Sequence, residues 1–238
     1  MCHQLWESKM VAPLPLKDAQ SSVMQLCEDM KWDYQLWTES KWMDLLDEHY
    51  AFLKATYAKI PTMIQKVHMA KYLIMYHHGG MVLDMDVTPT HELRAWMTAN
   101  RELIIAKEQH GYAHTVMLAR SKHPFFKALL RTIVKFQPTN VTKVFRHYDI
   151  LSRTGKFPFE ETVKKFEKRP DIHIQASERP LVSSVLTKPA STWREWDSYV
   201  YEYAERLWQY RDKILLCSTL LISLTIIILI ASQKKRPV

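Results

Sequence analysis

Four glycines, Gly79, Gly80, Gly111 and Gly155, serve all 238 residues of this chain. That scarcity narrows what the chain can fold into. Phosphate cradles and nucleophile turns need glycine where the backbone approaches a ligand closely or bends sharply. Neither GxGxxG, GxxxxGK[ST] nor GxSxG can be written from these four, which excludes a dinucleotide cradle, a P-loop and a nucleophile elbow. A diphosphate bound here must be neutralised by something other than a glycine-rich loop.

Two of the four stand together, and their surroundings carry structure. Pro61 opens a segment in which Ile64, Val67, Ala70 and Ile74 recur at helical spacing. Gly79 predicts the helix stop, and "MVLDMD" after it predicts a strand. Elsewhere "HQLW", "DYQLW" (33–37), "ELIIA" (102–106) and "HTVMLA" (114–119) read as strands. Residues 19–30, 40–58 (with Ser40 as cap) and 124–136 read as helices. Alternation of this kind predicts an α/β fold with a mixed or mostly parallel central sheet.

Asp84 and Asp86 close the "MVLDMD" segment. In an extended strand, residues i and i+2 share a face, so Val82, Asp84 and Asp86 are expected on one side. Two neighbouring carboxylates are costly unless a cation or hydrogen-bond donors compensate them. Mn²⁺ or Mg²⁺ suits carboxylate oxygen and keeps positions open for substrate phosphates. Ligands of open α/β sheets sit beyond the carboxyl ends of strands, where this pair would lie. The pair therefore reads as a metal–diphosphate clamp, although a lone DxD is more often a solvated turn.

The formal charge of +8 favours anionic partners, but the basic residues are scattered, and no nucleic-acid partner is expected. Cys2, Cys27 and Cys217 form no CxxC, which argues against a zinc site or a disulfide framework. Eleven histidines contain no HExxH. "ILLCSTLLISLTIIILIA" (214–231) carries no charge. As a helix it would span about 27 Å, close to the hydrocarbon thickness of a bilayer. Its Leu and Ile residues would contribute on the order of −4 to −7 kcal/mol to insertion. Lys213 before it, Lys234, Lys235 and Arg236 after it, and Trp208 and Tyr210 nearby fit interfacial positions. One C-terminal transmembrane helix is therefore expected. "MCHQLWESK" offers no signal peptide or N-terminal anchor.

The segment "MAKYLIMYHHGGMVLDMDV" resembles the signature of the DXD-containing family-32 glycosyltransferases, which include fungal Golgi mannosyltransferases and inositol-phosphoceramide mannosyltransferases. "HQLW" (3–6), "WDYQLWTES" (32–40), "VMLARSKHPFF" (116–126), "SRTGKF" (152–157) and "STW" (191–193) resemble further family segments in the same order. The likeness spans about residues 3–195 and leans towards the sphingolipid-mannosylating branch. It implies a GT-A-like nucleotide-sugar-binding fold, a nucleotide-sugar donor with GDP-mannose foremost, Mn²⁺ (or Mg²⁺), and transfer with retention. By the family pattern Asp86 ligates the metal directly. Asp84 contacts the donor and the metal's water. Trp6 lies near the base and Trp193 near the diphosphate. Lys71 stands where the family has an Arg. His68 replaces an Asp, Val82 an aromatic and His114 an Asn, while Lys188 stands near the place of a late His.

The expected organisation is a GT-A-like domain over 1–195, an aromatic and basic juxtamembrane helix over 196–213, the span at 214–231 and a basic tail at 232–238. The expected function is a membrane-anchored, metal-dependent, retaining hexosyltransferase, mannose first, acting on a lipid or glycan acceptor. Its site would be a single-pass membrane protein with a C-terminal anchor, in a Golgi- or ER-type endomembrane if the chain is eukaryotic. Two alternatives stand beside it: a catalytically lapsed relative that binds donor or acceptor without turnover, and a basic membrane-surface or scaffold protein whose DMD is only a turn. Mn²⁺-dependent donor hydrolysis separates the first reading from the second, and Mn²⁺-dependent nucleotide binding separates the second from the third.

Overall fold

The computed structural model describes residues 1–6, 14–108, 111–176, 181–184, 197–200, 203–204 and 210. The chain divides into two compact units, Met1–Trp193 and Arg194–Val238. The apolar stretch 214–231 and most of the juxtamembrane stretch lie outside the described residues. Among the described residues, no helix is long and apolar enough to cross a membrane.

In the first unit, β1 (Cys2–Leu5) is followed by α1 (Leu14–Met30), β2 (Tyr34–Trp37), α2 (Glu39–His49), a 3-10 turn (Ala51–Leu53), α3 (Lys54–Ala58) and α4 (Met63–His78). Then come β3 (Gly80–Leu83), β4 (Val87–Pro89), α5 (Leu93–Thr98), β5 (Leu103–Glu108) and β6 (Gly111–Ala119). The remainder is α6 (Pro124–Lys135), α7 (Asn140–Val144), α8 (Arg146–Arg153), α9 (Lys156–Phe166), β7 (Ile172–Ala176) and β8 (Val182–Ser184). Six strands form one sheet in the order β2-β1-β3-β6-β5-β7, and β4 pairs with β8 in a second sheet. The pairs β1–β2, β1–β3 and β5–β7 are parallel, whereas β3–β6 and β5–β6 are antiparallel. The sheet is thus mixed, as the alternation of elements implied.

Period-two alternation sends the central strands' side chains to two cores. Val82, Leu103, Ile105, Met117 and Ala119 join α2, α4, α6 and α9 in one. Met81, Leu83, Ile104, Val116 and Leu118 join α1 and α5 in the other. Strands so placed are buried on both faces, which explains why "MVL" and "LII" carry no polar residue.

The helix expected over 40–58 breaks at Tyr50, and the residue preceding α2 is Thr38 rather than Ser40. The break turns the buried Tyr50 ring towards α4, where its hydroxyl lies 3.0 Å from His77 Nδ1 and accepts from Lys122 Nζ at 2.9 Å. α4 starts two residues after Pro61, capped by the Thr62 hydroxyl, which accepts from Gln65 N–H. It stops at Gly79 as expected, with φ +67°.

Candidate active site

β3 ends at Leu83, so Asp84 and Asp86 occupy the turn that follows rather than the strand. The shared strand face expected for the two carboxylates is therefore corrected: the pleat ends before either residue. One ladder-like bond continues, from Asp84 N–H to Thr115 O at 2.9 Å, and Gln4 Nε2 donates to Asp84 O at 3.3 Å. The backbone of Asp84 is thus pinned by β6 on one side and by the end of β1 on the other. Trp6 follows that same end of β1, half-buried, its N–H bonded to Trp37 O at 2.9 Å. The pair sits beyond the carboxyl end of β3, the place where open α/β sheets bind ligands.

The two aspartates differ in what they touch. Lys71 Nζ donates to Asp84 Oδ1 at 2.8 Å and to His114 O at 2.9 Å, and lies 3.5 Å from His114 Nδ1. The Lys71 side chain is 2% exposed and that of Asp84 28%. An ammonium has three N–H bonds, and these contacts use them all. Lys71, which stands in the place of the family's Arg and is therefore expected at the donor phosphates, spends its N–H bonds in this structure on Asp84 and His114. Burial pushes the Asp84 carboxyl up from its ordinary range, Lys71 pulls it back, and Asp86 adds a further upward push. Asp86 is half-buried, and its carboxylate has no hydrogen-bond or ion-pair partner among the described residues.

Histidines flank this ion pair. Burial and the charge of Lys71 hold His114 down at about 3 and His68 well below its usual range, so both are neutral near pH 7. Their rings meet edge to face at 5.4 Å between centroids. His68 Nδ1 lies 3.3 Å from Thr154 Oγ1, and Tyr72 donates to Thr154 O at 3.1 Å. One turn earlier on α4, Gln65 Nε2 donates to Asp149 Oδ2 at 2.7 Å, and Arg153 neutralises the same carboxylate. α8 is therefore fastened to the helix that carries Lys71. Val82 is fully buried one strand position away from this polar group. Trp193 and Lys188 lie outside the described residues.

The Asp84–Lys71 pair joins residues thirteen apart, and nothing in their spacing announces it. The carbonyl of His114, the amide of Gln4 and the Asp149–Gln65 brace carry no sequence signal of their own. The donor set fits a hard divalent ion: Asp86 offers free carboxylate oxygen, and Asp84 keeps one oxygen that Lys71 does not touch.

Residues 13–109 match the family described as "Glycosyltransferase sugar-binding region containing DXD motif". The Asp84–Asp86 turn falls within that match, and the resemblance read from the sequence holds there. Among curated proteins, the chain is 28% identical over 141 residues to "Inositol phosphoceramide mannosyltransferase 1" of Schizosaccharomyces pombe, covering 59% of this chain and 44% of that protein. It is 24% identical over 192 residues to "Mannosyl phosphorylinositol ceramide synthase SUR1" of Saccharomyces cerevisiae, covering 81% of this chain and 42% of that protein. The chain thus spans under half the length of these relatives. Among solved structures it is similar to "PaToxG Glycosyltransferase", with a TM-score of 0.48 and 11% identity over 69% of this chain and 67% of that one.

Proposed function

We propose that the chain is a GT-A-like, metal-dependent glycosyltransferase that moves a hexose, mannose first, from a nucleotide sugar to an acceptor with retention. The observation that carries this is the asymmetry of the aspartate pair: Asp84 is tied to a buried ammonium while Asp86 is left without a partner at the carboxyl end of a central strand. In this reading Asp86 would hold Mn²⁺ or Mg²⁺, and Asp84 would serve the donor with the oxygen that Lys71 leaves free. When bound, the ion neutralises the leaving diphosphate.

The remaining work belongs to the chain's own groups. Lys71 fixes the Asp84 carboxylate and offsets part of the cost of burying it. His68 and His114, uncharged, line the polar floor without competing for the phosphate charge. Trp6 flanks the base and Trp193 the diphosphate. The names of the relatives support mannose as the sugar moved and an inositol phosphoceramide as acceptor; GDP-mannose is the donor that the family resemblance implies. The apolar stretch 214–231 supports a C-terminal anchor in an endomembrane, which would raise the effective concentration of a lipid acceptor.

The test is a screen of sugar nucleotides for Mn²⁺-dependent hydrolysis and transfer, run on the wild type and on Asp86→Ala. Turnover with GDP-mannose is expected, lowered about a hundredfold or more by Asp86→Ala at an unchanged unfolding midpoint. Metal-dependent donor binding without any turnover would instead establish the lapsed relative. Full activity in chelator would overturn the metal clamp.

A further inference from the structure

The stretch from Arg131 to Tyr148 contains Arg131, Lys135, Lys143 and Arg146 and not one Asp or Glu. It spans the end of α6, the loop after it, all of α7 and the start of α8. The apolar residues here are not all folded inward. Val134 is 40% exposed, Val141 50% and Val144 64%. Val141 and Val144 are three apart on one short helix, so they share a face. That helix is held in place rather than loose: Thr139 and Thr142 form a reciprocal capping box, and α7 packs on α8.

α8 in turn reaches the candidate active site. Asp149 binds Gln65, and Thr154, just past the last turn of α8, lies against His68 and Tyr72 on the helix that carries Lys71. The one carboxylate of α8, Asp149, is buried and neutralised by Arg153. The stretch supplies no anionic side chain of its own, and Lys135 and Lys143 are exposed.

We propose that the exposed face of α7, with Val134 and Lys135 shortly before it in the chain, docks on an anionic lipid bilayer on the side of the fold that α8 links to the donor site. The chemistry favours a bilayer over a protein partner. Protein hot spots are built from aromatic anchors in pockets, whereas this face offers small aliphatic side chains and cations. Such side chains sink into the boundary below the headgroups, and each Lys or Arg near an anionic surface strengthens partitioning about fivefold. The docking deepens the lipid-acceptor reading above and rests on it for its purpose. It would present the cleft to headgroups in the plane of the membrane, independently of any anchor elsewhere in the chain.

The test uses the full chain with Cys217→Ser and Val144→Cys, Cys2 and Cys27 being buried. An environment-sensitive fluorophore on residue 144 reports its surroundings in the presence of phosphatidylcholine vesicles, with or without phosphatidylserine. With phosphatidylserine the label should shift to the blue and become shielded from aqueous iodide; with phosphatidylcholine alone it should stay exposed. Lys135→Glu and Lys143→Glu should each weaken the shift about fivefold or more. A label that stays exposed in both, or responds equally to both, overturns the proposal. A response to soluble polyglutamate matching that to vesicles assigns the face to an acidic protein partner and also overturns it. Donor hydrolysis in the same samples separates the two ideas. An active enzyme with an unmoved label fails the docking alone, and an inactive one with a shifted label fails the transferase reading alone.

Discussion

The two ends of the central sheet both gather charged and polar groups, but they use them differently. At the end where β3 stops, Asp86 has no partner and Asp84 is tied to Lys71. At the end where β3 starts, most partners are engaged, although His123 Nε2 is buried without a hydrogen bond, 3.4 Å from Asp171 Oδ2. Trp37 Nε1–H donates to His3 Nδ1 at 3.0 Å, which leaves Nε2–H to donate to Gly79 O at 2.8 Å, so the His3 tautomer is set from both sides. Glu102, His123 and Asp171 also meet there, with potential ligand atoms within 4.8 Å of one another. They resemble a metal site in composition only. Arg120 takes Glu102 at 3.0 Å, and Arg169 takes both oxygens of Asp171, at 2.9 and 2.7 Å. His123 Nδ1 accepts from Phe125 N–H to cap α6, so its proton sits on Nε2 and no lone pair remains for an ion. Polar density does not tell the two ends apart; an acid left without a partner does.

The comparison can be broken most severely at Gly79. A Cβ there would come within 2.3 Å of Ser121 N and 2.6 Å of Arg120 C, both backbone atoms, at a positive φ. Gly79→Ala should cost more than about 4 kcal/mol, since both the collision and the left-handed backbone penalise it. Denaturant unfolding would measure this, and a near-native midpoint would show that the two ends are less tightly coupled than the packing implies. Next comes Lys71→Met, which leaves the Asp84 carboxylate buried without its cation. A loss of about 3 kcal/mol is expected, with donor hydrolysis falling as well. Stability unchanged in that variant would mean that Asp84 finds water, and that the asymmetry of the pair is not what organises the site.

Acid should have a smaller effect per residue, and it reaches both ends, because His68 and His114 at the site are held down as His3 is at the other end. Burial lowers His3 to about 4. Between pH 6.5 and 4 the unfolded chain binds more protons at this residue than the folded one, so stability falls as pH falls through that window. From pH 7 to pH 5, His3 alone accounts for about 2 kcal/mol. Its neighbours at this end, His77 and His78, are also held down, mainly by burial and then by the charge of Lys122. Unfolding midpoints at the two pH values would test the sign: a chain more stable at pH 5 contradicts the neutral, buried assignment of His3.

The parts legible in the sequence were those with a local cause. α4 shows in its apolar spacing, its stop in Gly79, and β3 in an uncharged run that both cores require. The short strands were not legible. β4 is three residues with a Pro, β8 is "VSS", and each exists because it pairs with the other across nearly a hundred residues. The break at Tyr50 was hidden for the same reason, since its causes, His77 and Lys122, lie far along the chain. At the site, the DxD spacing singled out Asp84 and Asp86, which the structure places together in the turn beyond β3. The strand geometry assumed for them did not hold, because β3 runs out before Asp84.

One feature of the sheet reaches beyond the finished molecule. β1, which precedes both of its partners in the sequence, is not at an edge but between β2 and β3. Its second partner is β3, whose residues Met81 and Val82 face Cys2 and His3, and β3 is itself flanked by β6, which ends at Ala119. During synthesis β1 therefore waits as a pairing-competent strand until the residues up to Ala119 have followed it. Order of synthesis and order of assembly are at odds, and loops this long close slowly. During that interval the unpaired strand is a natural target for chaperones and, in overproducing cells, for self-association.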